Sequence, residues 1–230
     1  MRESADLERS LGYTFKDPSL LKTALTHSSY ASERKLGYTG NNERLEFIGD
    51  AYLDAVVGTR LFEIMGEAHE GSLSRFRADV VCEASLADAA RNIELGDYLF
   101  LGKGEASSGG RSKPSILSDA LEAVLGAIFL DSGYEACKEM TLKLLGDKIE
   151  MAASGKLSRD FKTKLQEKVQ EKDTNAGISY RIVKEEGPDH NKTFTMEVSL
   201  NGRVLGTGTG SSKARAEQAA AEDALAKGVI

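Results

Sequence analysis

Five carboxylates in two short stretches of this chain stand at helical spacing: Glu43, Glu46 and Asp50 in NNERLEFIGDAYLDAVV, Asp119 and Glu122 in SILSDALEAVLGAIFL. Their spacings, i, i+3, i+7 and i, i+3, put each set on one face of a helix. Apolar residues of core type surround them, including Leu45, Phe47, Ile48, Leu53, Leu117, Leu121, Val124 and Leu125. Anionic groups crowded against apolar packing are costly unless a proton or cation compensates them. Taken singly, each set also fits acids near a helix start, where the positive dipole end favours them. Two packed helices that brought Glu46, Asp50, Asp119 and Glu122 together would instead form an all-oxygen site suited to Mg²⁺ or Mn²⁺. Such ions deprotonate an attacking water and stabilise the leaving oxygen in phosphoryl displacement.

The elements that must position these acids are helical. Residues 1–150 read as helices throughout, with apolar positions at helical spacing in 19–30 (SLLKTALTHSSY) and an amphipathic stretch over 72–92. Asn41 or Asn42 is placed to cap the first acidic helix, and Pro114 suits the first turn of the second. Gly49, directly before Asp50, costs on the order of 1 kcal/mol against alanine in a helix. It leaves room for another helix or a ligand. GKGEASSGGRSK (102–113) reads as a flexible loop, and a further helix runs from 134 to 151.

Past residue 150 the pattern changes. Residues 151–158 read as a short linker, and 159–228 follow an α-β-β-β-α order. Residues 160–172 are helical, 178–186 and 192–200 alternate like strands, and Asn201-Gly202 marks a hairpin. A third strand over 203–209 precedes an Ala-rich helix over 213–226 whose Ala216, Ala219 and Ala220 permit close packing on a sheet. The fold class expected is therefore an all-α domain followed by an α+β domain.

The formal charge of −6 argues against indiscriminate nucleic-acid binding by bulk electrostatics. It is concentrated in residues 1–156, with 18 Lys+Arg against 25 Asp+Glu; residues 157–230 carry 12 against 11. Cys82 and Cys137 stand alone and the three histidines are scattered, which disfavours structural zinc and a disulfide framework. No apolar run approaches 18 residues and MRESADLERS is no signal peptide, so a cytoplasmic protein without a membrane partner is expected.

In the second region, Phe161, Leu165 and Val169 form an apolar stripe, with Thr163, Gln166, Glu167 and Gln170 as a polar stripe beside it. Such groups can hydrogen-bond 2′-hydroxyls and base edges in the wide RNA minor groove; they equally suit a solvated face. His190, beyond Pro188, is placed to enter a second minor groove. Ser211 or Ser212 starts a helix whose first N–H groups, with Lys213, can grip phosphates.

ERLEFIGD (43–50) resembles the signature of ribonuclease III, the Mg²⁺-dependent endonuclease of double-stranded RNA. ALTHSSY (24–30), LGKGEASSGGRSKPSILSDALEA (101–123) and the C-terminal region follow in that family's order, and FKTKLQE with GSSKARAEQAAA resembles a double-stranded-RNA-binding domain. The resemblance implies a dimerising all-helical endonuclease domain over 1–150 and an RNA-binding domain over 159–228. By it, Glu46, Asp119, Glu122 and Asp50 correspond to metal-binding carboxylates, and Asp50 and Glu122 to the essential catalytic acids. Glu43 corresponds to a further acid at the cleavage site, and Phe47 to an aromatic inserted into the partner subunit. Thr163, Gln166, Glu167, Gln170, His190, Lys213 and Arg215 correspond to RNA contacts. A homodimer with one centre per strand implies 5′-phosphate and 3′-hydroxyl products with a short 3′ overhang, from ribosomal and other structured precursor RNAs.

The chain departs from the family at Tyr52, usually a smaller aliphatic residue, and at Ala214, where a second lysine is usual. Arg215 lies about 100° further round the helix. Asp54 adds a charge one turn beyond Asp50. A duplex-RNA binder that does not cut is the alternative of a different class. A helical metal oxidase would want Glu-x-x-His pairs, which neither acidic stretch has.

Overall fold

The computed structural model describes residues 3–154, 161–172, 177–188 and 192–228. The chain divides into two compact units, Met1–Leu157 and Ser158–Ile230, each with its own apolar core.

In the first unit the helices are α1 (Ser4–Leu11), α2 (Pro18–Ala24), α3 (Ser28–Arg34), α4 (Glu43–Met65), α5 (Glu70–Val81), α6 (Glu83–Asn92), the short α7 (Lys103–Ser107) and α8 (Pro114–Ala153). Single 3₁₀ turns occupy Leu95–Tyr98 and Gly110–Ser112. Among the described residues α4 and α8 pack most extensively, and two glycines set how closely. A Cβ on Gly49 would lie 1.9 Å from the carbonyl oxygen of Glu122, and one on Gly126 would lie 2.1 Å from that of Leu45. No side chain fits at either point, so the room that Gly49 leaves is filled by another helix. Leu53, Val57, Leu121, Val124 and Leu125 are fully buried around this crossing.

Four expectations change in detail. The stretch 19–30 is two helices, because Thr26 forms an isolated parallel bridge with Phe100: Phe100 N donates to Leu25 O at 2.8 Å and His27 N to Phe100 O at 3.1 Å. The stretch 72–92 breaks at Cys82, whose backbone is extended. The expected flexible loop at 102–113 instead carries α7 and a 3₁₀ turn. Its Arg111 guanidinium donates to Gly96 O (2.8 Å) and Leu99 O (3.0 Å). The helix expected at 134–151 is continuous with the one before it, joined across a kink at Gly133 (φ 82°). It runs on to Ala153, three residues into the stretch read as linker, because Ala152 is fully buried. The Asp131 carboxylate pins the kink by accepting from the Tyr13 hydroxyl (2.6 Å), Asp17 N (2.9 Å) and Lys16 N (3.1 Å).

The second unit runs α9 (Phe161–Lys172), β1 (Ile178–Glu186), β2 (Thr193–Leu200), β3 (Arg203–Gly210) and α10 (Lys213–Ala226). The strands form an antiparallel sheet in the order β1-β2-β3. Asn201 and Gly202 both have positive φ (50° and 82°), the backbone a two-residue hairpin of this hand requires. Leu165, Val169, Met196, Val198 and Leu205 are buried with Ala216, Ala220, Ala221 and Ala224, whose small side chains let α10 lie close on the sheet.

Candidate active site and RNA-binding face

The first turn of α4 is set by two buried asparagines. Asn41 Oδ1 accepts from Glu43 N at 3.3 Å, while Asn42, at the N-cap position, ties its backbone N–H to Thr26 O at 2.9 Å. Pro114 opens α8, as its fixed φ favours. With the glycine crossing one turn away, Glu46 of α4 meets Asp119 and Glu122 of α8. Each of the three offers an oxygen within 4.8 Å of the others, and all three are half-buried. The group contains neither histidine nor cysteine.

Burial and mutual repulsion act in the same direction here. Burial pushes the Glu122 carboxyl up to about 8, with the charges of Asp50, Glu46, Asp119 and Asp54 adding to it in that order. Glu46 is raised by burial and then by Asp119, Glu43 and Asp50. Asp119 is raised by burial, against the lowering effect of the Ser118 hydroxyl; Glu83 raises it further and His27 lowers it. Protonation relieves this crowding at the expense of the anion, and a hard divalent cation relieves it while keeping the anions. The donor set therefore fits such a cation.

Asp50 and Glu43 are exposed and stand outside the three-oxygen group. Of the four acids expected to meet, three converge, and the charge of Asp50 acts on Glu122 more strongly than that of any other acid. Asp54 also reaches Glu122 electrostatically and lies 3.8 Å from the Arg77 guanidinium. The proximity of Glu83 and His27 to Asp119 has no counterpart among the residues that sequence spacing singles out, since both come from elements distant along the chain. Tyr52 stacks on Phe129 with centroids 3.6 Å apart, which accounts for a large aromatic at this position.

Phe47 is 77% exposed on the single chain. It lines a groove of about 670 Å³ with Leu20, Arg44, Ile48, Leu130 and Tyr38, of which Tyr38 is 81% and Leu130 55% exposed. Phe47 is therefore not a core residue of its own chain.

On the second unit, Gln166, Glu167 and Gln170 are exposed on α9 and Thr163 is half-buried. Gln166 and Gln170 line a cavity with Lys162, Val169, Ile178 and Tyr180. Lys213 and Arg215 lie in the first turn of α10. Ser212 Oγ caps this turn by accepting from Arg215 N at 3.3 Å, and the Arg215 guanidinium donates to Ser211 Oγ at 3.0 Å. The Lys213 ammonium lies 5.9 Å from the centroid of the Phe194 ring, and Ala214 is exposed beside it. His190 lies outside the described residues. No described helix is long and apolar enough to cross a membrane.

Comparison with known proteins bears on both units. Residues 17–149 match the family model described as Ribonuclease-III-like, and residues 161–227 match the double-stranded RNA binding motif. The chain is similar to Ribonuclease 3 of Caldanaerobacter subterraneus subsp. tengcongensis, 50% identical over 221 residues that cover 96% of each protein. It is similar to Ribonuclease 3 of Pelotomaculum thermopropionicum, 49% identical over 96% of this chain and 91% of that one. Among solved structures it resembles a nuclease domain of ribonuclease III from Campylobacter jejuni, described for flexibility in a region involved in dimer formation. That domain is 47% identical with a TM-score of 0.59, over 64% of this chain and 98% of the domain.

Proposed function

The chain belongs to the ribonuclease III family and is an endoribonuclease with a double-stranded-RNA-binding domain, and on that premise we propose that it cuts RNA duplexes with the help of divalent metal. The observation that carries this reading is the convergence of Glu46, Asp119 and Glu122 within 4.8 Å. These three would hold Mg²⁺, with Mn²⁺ as a substitute, Asp50 completing the site from its edge. Bound there, the cation would lower the pKa of water and stabilise charge at the phosphate in an in-line displacement.

The protein's own groups do the rest. Glu122 and Asp50 act as the essential acids, holding and moving protons at the attacking and leaving oxygens. Glu43, one turn before Glu46 on α4, acts as a further acid at the cleavage point. Cleavage of the P–O3′ bond leaves a 5′-phosphate and a 3′-hydroxyl. Two copies joined through the Phe47 surface place one centre on each strand and leave a short 3′ overhang. The second domain reads A-form shape, with weak sequence preference. Thr163, Gln166, Glu167 and Gln170 address one minor groove, His190 a second, and Lys213 and Arg215 the phosphates between. The substrates are ribosomal and other structured precursor transcripts, processed in the cytoplasm. The catalytic unit spans 1–150, and 151–158 joins it to the RNA-binding unit over 159–228.

Incubation of purified protein with a long RNA duplex, in Mg²⁺ and then in EDTA, tests the reading. Cleavage is expected only with the metal, and Glu122→Gln should bind the duplex and leave it whole. Binding without cleavage by the wild type would favour a non-cutting regulator instead.

A further inference from the structure

The ALTHSSY segment supplies one side chain that the metal reading leaves without a role. His27 follows Thr26, whose carbonyl accepts from Asn42 N at 2.9 Å, and its own N–H donates to Phe100 O at 3.1 Å. It is thus anchored between the first turn of α4, which carries Glu43 and Glu46, and the segment that leads into α8, which carries Asp119 and Glu122. The ring is fixed as well. His27 Nδ1 accepts from Ser29 N at 3.2 Å and lies 2.8 Å from Ser29 Oγ, which itself accepts from Gly102 N at 2.9 Å. A ring nitrogen that accepts a backbone N–H carries no proton, so the neutral ring holds its proton on Nε2. Among the described residues no acceptor is within hydrogen-bond reach of that N–H.

The ring is half-buried, and a positive charge on it would hold down the carboxyls of both Asp119 and Glu105. It therefore lies within electrostatic reach of Asp119, and its backbone ties to Asn42 through Thr26 and to Phe100 place it between the two acidic segments. A site lined with carboxylates that must receive an anionic backbone needs hydrogen-bond donors beside its cations. The Lys113 ammonium directs two of its three donors to Glu105 Oε1 (2.5 Å) and Ser108 Oγ (3.3 Å). His27 Nε2–H is an open donor near this edge, on a ring that its Nδ1 contacts hold in place.

We infer that His27 is a substrate-binding residue of the nuclease site, its Nε2–H donating to a non-bridging phosphate oxygen of the strand laid across Glu46, Asp119 and Glu122. This rests on the endonuclease reading and adds to it a protein donor outside the acidic set. The Ser29–Gly102 contact then holds the imidazole in the tautomer that can donate outwards.

Two substitutions separate phosphate binding from the ring's role as helix cap. His27→Asn keeps a short side-chain acceptor for Ser29 N and removes the distal donor, whereas His27→Gln keeps an N–H near the place of Nε2. In single-turnover cleavage of an RNA duplex with Mg²⁺, His27→Asn should melt near wild type yet cut roughly 10- to 100-fold more slowly, the range for loss of one hydrogen bond to a charged group. His27→Gln should recover most of the rate. An asparagine variant as fast as wild type, or a glutamine variant as slow as asparagine, overturns the assignment. A measurement that needs no change at His27 is its Nε2 resonance in Glu122→Gln protein, which should shift when a duplex is added; an unmoved resonance overturns it equally. Failure of the wild type to cut would strike the nuclease reading itself, so the two failures are distinguishable.

Discussion

Glu122 bears the sharpest conflict in the molecule. Its carboxyl titrates near 4.5 in an ordinary setting and about 8 in the metal-free fold, through burial first and the charges of Asp50, Glu46, Asp119 and Asp54 after it. Between those values the folded state holds a proton that the unfolded chain has released, so stability falls as pH rises through that window. Below it both states are protonated and there is no penalty; above about 8 the penalty is complete. Calorimetry in EDTA should show the melting temperature dropping from pH 5 to pH 8, at about 2–4 °C per kcal/mol for a chain of this size. Glu122→Gln should flatten that slope. Added Mg²⁺ should stabilise most at high pH, where proton and cation no longer compete. Asp54 lies further out, shares its charge with Arg77 and contributes the smallest of the four repulsions on Glu122. Asp54→Ala should therefore shift the Mg²⁺ concentration needed for half-maximal cleavage and leave the rate at saturating metal close to wild type. Loss of cleavage at saturating metal would place Asp54 inside the chemistry rather than at its edge.

At the scale of elements, the site depends on α4 and α8 meeting backbone to backbone. Gly49→Ala tests this against intrinsic preference, which favours alanine by about 1 kcal/mol in a helix. The added methyl would meet Glu122 O at 1.9 Å, so the helices must part, an overpacking cost of about 1–3 kcal/mol. Urea denaturation should show net destabilisation, and cleavage should fall as well, because the carbonyl that is pushed belongs to an acid of the site. Gly49 was legible in the sequence as a gap in a helix, and so were the spacing of the acids, the Asn201-Gly202 turn and the three strands. Each of these is encoded by neighbours a few residues apart. The break at Thr26 was not legible, because it is made by Phe100, seventy-odd residues away. The order in 102–113 was hidden for the same reason: Arg111 reaches back to Gly96 and Leu99. Local periodicity cannot register partners that only folding brings together. The reach of His27 and Glu83 to Asp119 is likewise set by partners distant along the chain, and Asp50 stands outside the three-oxygen group.

The molecule as a whole is acidic, with −7 over residues 1–156 and +1 over residues 157–230. Duplex affinity then depends on placed contacts rather than bulk charge. Ala214 is exposed in the first turn of α10 between Lys213 and Arg215. Ala214→Lys should tighten duplex binding and steepen the slope of log affinity against log salt by roughly 0.9 for one added phosphate contact. An unchanged slope in a filter-binding titration would show that this turn does not face the backbone. The other whole-molecule feature is apolar. Phe47, Tyr38 and Leu130 would be poor choices for a surface that stays in water, since exposed apolar clusters of this kind mark contact sites. On the proposed two-fold assembly they are covered by the second copy, and Phe47 is the anchor. A central aromatic anchor contributes about 2 kcal/mol or more to such an interface, so Phe47→Ala should weaken the dimer about 30-fold. Sedimentation velocity at low micromolar concentration should then show monomer where the wild type shows dimer. The monomer should keep its fold, because Phe47 contributes little to its own chain's core, yet lose coordinated cutting of the two strands. A variant that stays dimeric and makes the same staggered ends would remove Phe47 from the interface and leave its exposure without a function.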